Sequence, residues 1–327
     1  MRLKSVALLI ALPLVTAQAQ LTGVVHTDTL WAQSLGVRKA LTVYLPPSYS
    51  TSPTQRYPVL VYLHGFSGNE RNWVDAGHID RTLDSLVAAG KPEAIVVMPD
   101  GDDGWYTTWN SLADLAACRA DSSRKEPAAT YCVPWQHYDD YIAHDIVSHV
   151  DKKYRTIRDS KHRGIGGLSM GGYGAITLAL SYPQLFGAAA SHSGVLSPQF
   201  AGPIPFASPP RYAETTAQLQ ALPHNMWTWL AIPFGRDTIG WVSRDPGHMA
   251  QRLKTNASAS GVTMPRLRID CGSDDAYVNQ NRDLHATLQR LGVGHEYAEF
   301  PGAHSWKYWS AHVGESIAFL LIGMGPR

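Results

Sequence analysis

The sequence predicts an α/β fold in which a mainly parallel central sheet carries helices on both faces and opens with antiparallel N-terminal strands. Three observations support it: short apolar runs bounded by turn residues, amphipathic stripes between them, and an alternating pattern near the start. Residues 24–45 alternate apolar and polar positions, most clearly in KALTVYL before Pro46 and Pro47, as antiparallel edge strands do. The runs 59–63, 94–98, 163–168 and 266–270 are instead mostly apolar or β-branched and bounded by Gly, Pro or Asp, as in strands buried on both faces. Between them Tyr138, Ile142, Ile146, Val150 and Tyr154 recur every four residues; Leu284, Leu288 and Leu291 mark a second stripe, and Trp306, Trp309, Val313, Ile317 and Leu320 a third. Strands alternating with helices imply crossover connections and a parallel sheet, whose ligands bind at the carboxyl ends of the strands. Residues 197–235 break the alternation with seven prolines and with Trp227 and Trp229, and read as an insertion over the sheet's edge, a lid or substrate wall. No internal repeat or linker divides the chain, so residues 20–327 read as one domain.

Composition bounds the setting. With 44% hydrophobic residues in 327, the chain buries a large core. Met1, Arg2 and Lys4 precede an apolar stretch over residues 5–15, and Ala17-Gln18-Ala19 is a small-x-small cleavage pattern. Residues 1–19 are therefore expected to be a removed signal peptide, directing the protein to the periplasm or outside the cell. The apolar stretch is shorter than the roughly 20 residues a membrane span requires, and no later segment is long enough. Losing Arg2 and Lys4 takes the formal net charge from +1 to −1, with charges scattered, so nucleic acid is not an expected partner. Of three cysteines, Cys118 and Cys132 flank the polar stretch RADSSRKEPAATY; a disulfide between them would stabilise by about 3 kcal/mol. Cys271 follows an apolar run and reads as a buried, unpaired thiol.

The stretch HRGIGGLSMGGYGAITLAL concentrates glycines around one hydroxyl. Gly167-Leu168-Ser169-Met170-Gly171 fits G-x-S-x-G with a strand before it and a helix after it, the setting in which a sharp turn lifts a nucleophilic serine above the sheet. Glycines permit the close approach of strand, turn and helix. A phosphate cradle would need Gly-Lys-Ser/Thr, which is absent. Serine needs a base and the base needs a carboxylate, both later in the chain for this motif. Among fourteen histidines, His304 in FPGAHSW follows the apparent strand 295–300 and precedes the last stripe. His192, in SHSG, is more natural as a pocket-shaping residue, and His312 falls inside the stripe. RLRIDCGSDDAY offers Asp270, Asp274 and Asp275; Asp270 ends the strand, and spacing does not separate the other two.

HGFSGNERNW (64–73), the Gly-Leu-Ser-Met-Gly-Gly turn, CGSDD followed by NRDL, and PGAHSW, in this order, resemble the esterase D-like family of α/β-hydrolases. That family includes feruloyl and acetylxylan esterases, S-formylglutathione hydrolases and antigen 85 mycolyltransferases. The resemblance runs from about residue 38 to 321 and implies the α/β-hydrolase fold, Asp275 as the catalytic acid, and the Phe66 N–H as an oxyanion donor. The Met170 N–H, next to the nucleophile, is the other donor.

The expected activity is that of a serine carboxylesterase acting on small-molecule or carbohydrate-linked esters without cofactor or metal. The alternatives are an acyltransferase using a sugar hydroxyl and a non-catalytic binding protein on the same scaffold. Trp105, Tyr106, Trp109, His192, Trp227 and Trp229 are candidate substrate contacts, aromatic walls suiting aromatic acyl groups or sugar faces. Asp100, Asp102 and Asp103 match only part of a calcium loop, whose terminal Glu is missing. These motifs encode neither the acyl chain nor the oligomeric state.

Overall fold

The alternating segment forms a hairpin. β1 (Val24–Ala32) and β2 (Val37–Leu45) pair antiparallel, and the turn closes with Gly36 in the left-handed region, its N–H on the Ala32 carbonyl. The structure is a computed structural model describing residues 22–110, 112, 114–121 and 127–325; the expected signal segment 1–19 lies outside them. β3 (Val59–Leu63), β4 (Ile95–Pro99), β5 (Arg163–Leu168), β6 (Ala188–His192), β9 (Arg266–Gly272) and β10 (His295–Phe300) complete an eight-stranded sheet ordered β1-β2-β4-β3-β5-β6-β9-β10. β2 meets β4 antiparallel; every later pairing is parallel. β7 (Phe200–Gly202) and β8 (Arg211–Tyr212) form a separate small ribbon.

The two-residue period of the strands divides the core. Val59, Val61 and Leu63 face one side with Ile142, Ile146, Ile176 and Leu284, while Leu60 and Tyr62 face the other with Leu83, Val313, Ile317 and Leu320. Helices therefore cover both faces, as expected. β6 is a strand that the apolar runs did not reveal: Ala188, Ala189 and Ala190 are fully buried, and the helices Met170–Ser181 and Trp306–Leu320 pack over it. The four-residue stripe at 138–154 also has a structural counterpart. A spacing of four drifts against the 3.6 residues of an α-turn. The wider π-helical turn Tyr141–Ile146, between Tyr138–Asp140 and Val147–Lys153, takes up that drift and keeps Tyr138, Ile142, Ile146 and Val150 buried.

The Pro-rich segment is anchored to the body of the protein at several points. Leu219, Met226, Leu230 and Phe234 are buried in the main core, and Ser197 and Tyr212 both donate to Asp283 on the helix Val278–Leu291. Cys118 and Cys132 form the expected disulfide, and Cys271 is free and buried. Among the described residues, no helix is long and apolar enough to cross a membrane.

Candidate active site

Ser169 sits where β5 ends and the helix Met170–Ser181 begins, with φ 52° and ψ −117°, a conformation that L-residues rarely adopt. The glycines make this turn sterically feasible. A Cβ on Gly167 would stand 2.3 Å from the Gly171 carbonyl oxygen, and one on Gly171 would stand 2.4 Å from that of Leu63. Backbone thus packs on backbone, and the Ser169 N–H is tied to the His192 carbonyl at 2.9 Å.

Ser169 Oγ lies 3.0 Å from His304 Nε2, and His304 Nδ1 lies 2.9 and 3.1 Å from the two Asp275 carboxylate oxygens. Asp275 is buried and also accepts the Tyr277 N–H at 2.8 Å. The loops carrying acid and base run together after β9 and β10: Ser273 N–H donates to the Phe300 carbonyl and Asp274 N–H to that of Gly302. Asp274 has an exposed side chain, so the geometry distinguishes the two neighbours that spacing left equal. Burial, with the Asp275 charge, pushes the Tyr277 phenol up to about 12, so it stays neutral beside His304, ring centroids 5.0 Å apart.

Met170 is the first residue of its helix, so its N–H is among the four left without an intrahelical partner. Phe66 follows Gly65 on the turn after β3, and Phe66, Gly65 and Ser169 line one cleft of about 440 Å³. Phe66, Trp105 and Trp229 form one wall and Tyr277, Trp306 and Trp309 another; Phe66 stacks on Trp229 at 5.5 Å and 26°.

Of the six expected substrate contacts, Trp105 and Trp229 line this cleft and four do not. Tyr106 is buried beneath the turn that follows β3, its hydroxyl on the His64 carbonyl. Trp109 donates to the Gly104 carbonyl and packs on Tyr138. Trp227 stacks on Trp241, because two residues along an α-helix is about 200° of rotation and only one of Trp227 and Trp229 can face the cleft. His192 is fully buried, bonded to Asp270 at 2.9 Å and Ser316 at 2.8 Å, with Tyr308 also on Asp270. His192 and Tyr308 thus both meet Asp270 at Oδ1, in the core and away from the cleft. His312 stacks on Phe300. Sequence reasoning missed Tyr277, Trp306 and Trp309. The two tryptophans belonged to a stripe read as core, and the i, i+3 pair faces the cleft because the helix starts directly after His304.

Asp100 and Asp102 converge on the buried Lys39 ammonium at 2.6 and 2.9 Å. Burial pushes Asp102 up to about 6 against the pull of Lys39. Asp103 instead accepts the Ser67 N–H at 2.5 Å. Among the described residues no three His, Cys, Asp or Glu side chains are grouped as metal ligands. Burial pushes the Cys271 thiol up, which disfavours the thiolate.

Residues 32–320 match the family described as "Putative esterase". An acetyl esterase of Caldicellulosiruptor saccharolyticus is 24% identical over 274 residues, 82% of this chain and 84% of that protein. An endo-1,4-beta-xylanase/feruloyl esterase of Xylanibacter ruminicola is 28% identical over 169 residues, 50% of this chain and only 21% of that protein. A solved ferulic acid esterase superposes with a TM-score of 0.68 at 25% identity, covering 93% of this chain and 100% of its own. The sheet order and this likeness identify the fold as that of the α/β-hydrolases.

Proposed function

This chain belongs to the Esterase family and is an ester-hydrolysing enzyme, and we propose that it works as a serine carboxylesterase through Ser169, His304 and Asp275. The observation that carries this reading is the unbroken line from Ser169 Oγ through the His304 ring to Asp275, 3.0 and 2.9 Å, at a helix N-terminus. Ser169 attacks the ester carbonyl while His304 Nε2 takes its proton; Asp275 holds the ring and stabilises the imidazolium. The Met170 and Phe66 N–H groups receive the oxyanion, each worth about 2.7–4 kcal/mol of transition-state stabilisation. His304 then protonates the departing alcohol, and water, deprotonated by His304, releases the acid from the acyl-enzyme.

For substrate we propose acetyl or feruloyl-type esters, including those of carbohydrates. A cleft of about 440 Å³ falls within the roughly 300–1,000 Å³ of small-molecule sites, and its aromatic walls suit a planar acyl group. The names of the acetyl and feruloyl esterase relatives support the same class. We further propose that residues 20–327 act as one catalytic domain outside the cytoplasm after removal of residues 1–19. The Cys118–Cys132 disulfide supports export, since such bonds persist in oxidising compartments. The test is a hydrolysis panel of p-nitrophenyl esters from acetate to long acyl chains, methyl ferulate and acetylated xylan. The reading expects turnover of acetyl and feruloyl esters well above long acyl chains; a preference for long chains contradicts it.

A further inference from the structure

His64 directly follows β3, is 1% exposed, and has a backbone partner on each ring nitrogen. The Gly101 N–H points at Nε2 at 2.9 Å, and the Gly65 carbonyl lies 2.8 Å from Nδ1. A backbone N–H can only donate and a carbonyl can only accept, so both contacts require the same neutral tautomer, with the proton on Nδ1. The Gly65 carbonyl takes a second hydrogen bond from the Gly68 N–H at 3.0 Å. In a trans peptide the C=O and the next N–H point in opposite directions. Fixing the Gly65 carbonyl on the His64 side therefore fixes the Phe66 N–H on the other. Gly65 and Phe66 both line the cleft, and Gly65 lies against the nucleophile's turn: a Cβ on it would stand 2.7 Å from Leu168 and 3.5 Å from the Ser169 Cβ.

We propose that His64 is the positioning residue of the oxyanion hole: its Nδ1–H holds the Gly65–Phe66 peptide so that the Phe66 N–H aims at the reacting carbonyl. The inference rests on the reading of Ser169 as nucleophile and Phe66 as donor. His64 touches neither Ser169 nor the cleft, so it acts only through that peptide. Its own setting is held by the segment 100–106. Tyr106 donates to the His64 carbonyl at 3.1 Å, Asp103 accepts the Ser67 N–H, and the Gly101 N–H fixes the tautomer. Lys39 anchors that segment through Asp100 and Asp102. The Asp100 carboxylate that comes within 3.7 Å of Nε2 is thereby already paired. A buried ammonium thus ends a chain of contacts leading to one backbone donor.

The test compares p-nitrophenyl acetate with its thiono counterpart, in which C=S replaces C=O, for the wild type, His64→Phe and His64→Asn. Sulfur accepts hydrogen bonds poorly, so a working oxyanion hole favours the oxoester. The ratio of the two rates does not depend on how much of a variant folds. Losing the aimed donor in His64→Phe lowers kcat/KM for the oxoester by about 10²–10³-fold, chiefly in kcat, with a much smaller loss for the thionoester. His64→Asn, which retains an N–H near the place of Nδ1, recovers most of the oxoester rate and the ratio. Equal losses on both esters, an unchanged ratio in His64→Phe, or no recovery in His64→Asn overturns the proposal. The Ser169→Ala variant separates this from the underlying reading: if it still hydrolyses the oxoester at the wild-type rate, the nucleophile assignment has failed.

Discussion

Replacing Asp275 with Asn should remove most of the activity, because the hydrogen bonds around it dictate which way the amide sits. The Tyr277 N–H donates to Asp275 Oδ1 at 2.8 Å, so the amide oxygen of Asn must stay there. Its NH₂ then takes the Oδ2 position, 2.9 Å from His304 Nδ1, where a donor now faces a donor. The imidazole responds by moving its proton to Nε2, which leaves no lone pair to accept the Ser169 proton at 3.0 Å. A wrong tautomer of this kind costs about 10⁴ in kcat, or about 5.4 kcal/mol. Asp274→Asn is the matched control: its side chain is exposed, where substitutions change stability by no more than about 0.5 kcal/mol, so the fold is kept and the kinetics should stay near those of wild type. Steady-state and burst kinetics with p-nitrophenyl acetate read both. An Asp275→Asn enzyme within tenfold of wild type, or an Asp274→Asn enzyme equally impaired, would refute the reasoning.

Gly171→Ala places a methyl 2.4 Å from the Leu63 carbonyl oxygen and 2.6 Å from that of His64, backbone atoms that cannot rotate away. Overpacking should cost about 1–3 kcal/mol of stability, and a shift of the oxyanion turn by about 1 Å should cost about 10²-fold in kcat/KM; thermal melts and kinetics check the pair, and a wild-type-like variant contradicts the packing argument. Asp28 on β1 carries a pH prediction. Burial opposes its charge, but hydrogen bonds from Lys153, His149 and Tyr154 outweigh this and hold its carboxyl well below the usual range. Its contribution is therefore present above the unfolded value of about 3.9 and fades as pH falls toward the depressed folded value. Asp28→Asn should cost about 1–3 kcal/mol at neutral pH, with the gap to wild type closing below about pH 4; melting curves with a constant gap between pH 7 and 3 contradict this.

What the sequence made legible depended on how local the signal was. β3 and β5 run over the residues expected, 59–63 and 163–168, because each is an apolar run flanked by residues that break it. β6 escaped notice because Ala188–Ala190 carry little strand propensity; only the helices pressing on both of its faces explain small residues there. Ser169 and His304 were readable because each sits in a motif at a strand's end. Asp275 was separable from Asp274 by resemblance but not by spacing, since the difference is which carboxylate points inward. Pocket walls were the least legible. Trp227 and Trp229 are indistinguishable in composition, and a helix turn sends them to opposite sides. His192 has a base's chemistry and a strand-end position, yet Asp270, 78 residues on, holds it in the core. The setting of His64 likewise depends on Gly101, 37 residues later.

The central claim is that Ser169 forms the acyl-enzyme. Intact-protein mass spectrometry after a fluorophosphonate or a p-nitrophenyl ester, followed by peptide mapping, tests it directly. The account predicts a single adduct on Ser169, absent from Ser169→Ala, whose p-nitrophenyl acetate turnover falls to background while its melting curve is retained. An adduct on another residue, or Ser169→Ala hydrolysing at the wild-type rate, would contradict it.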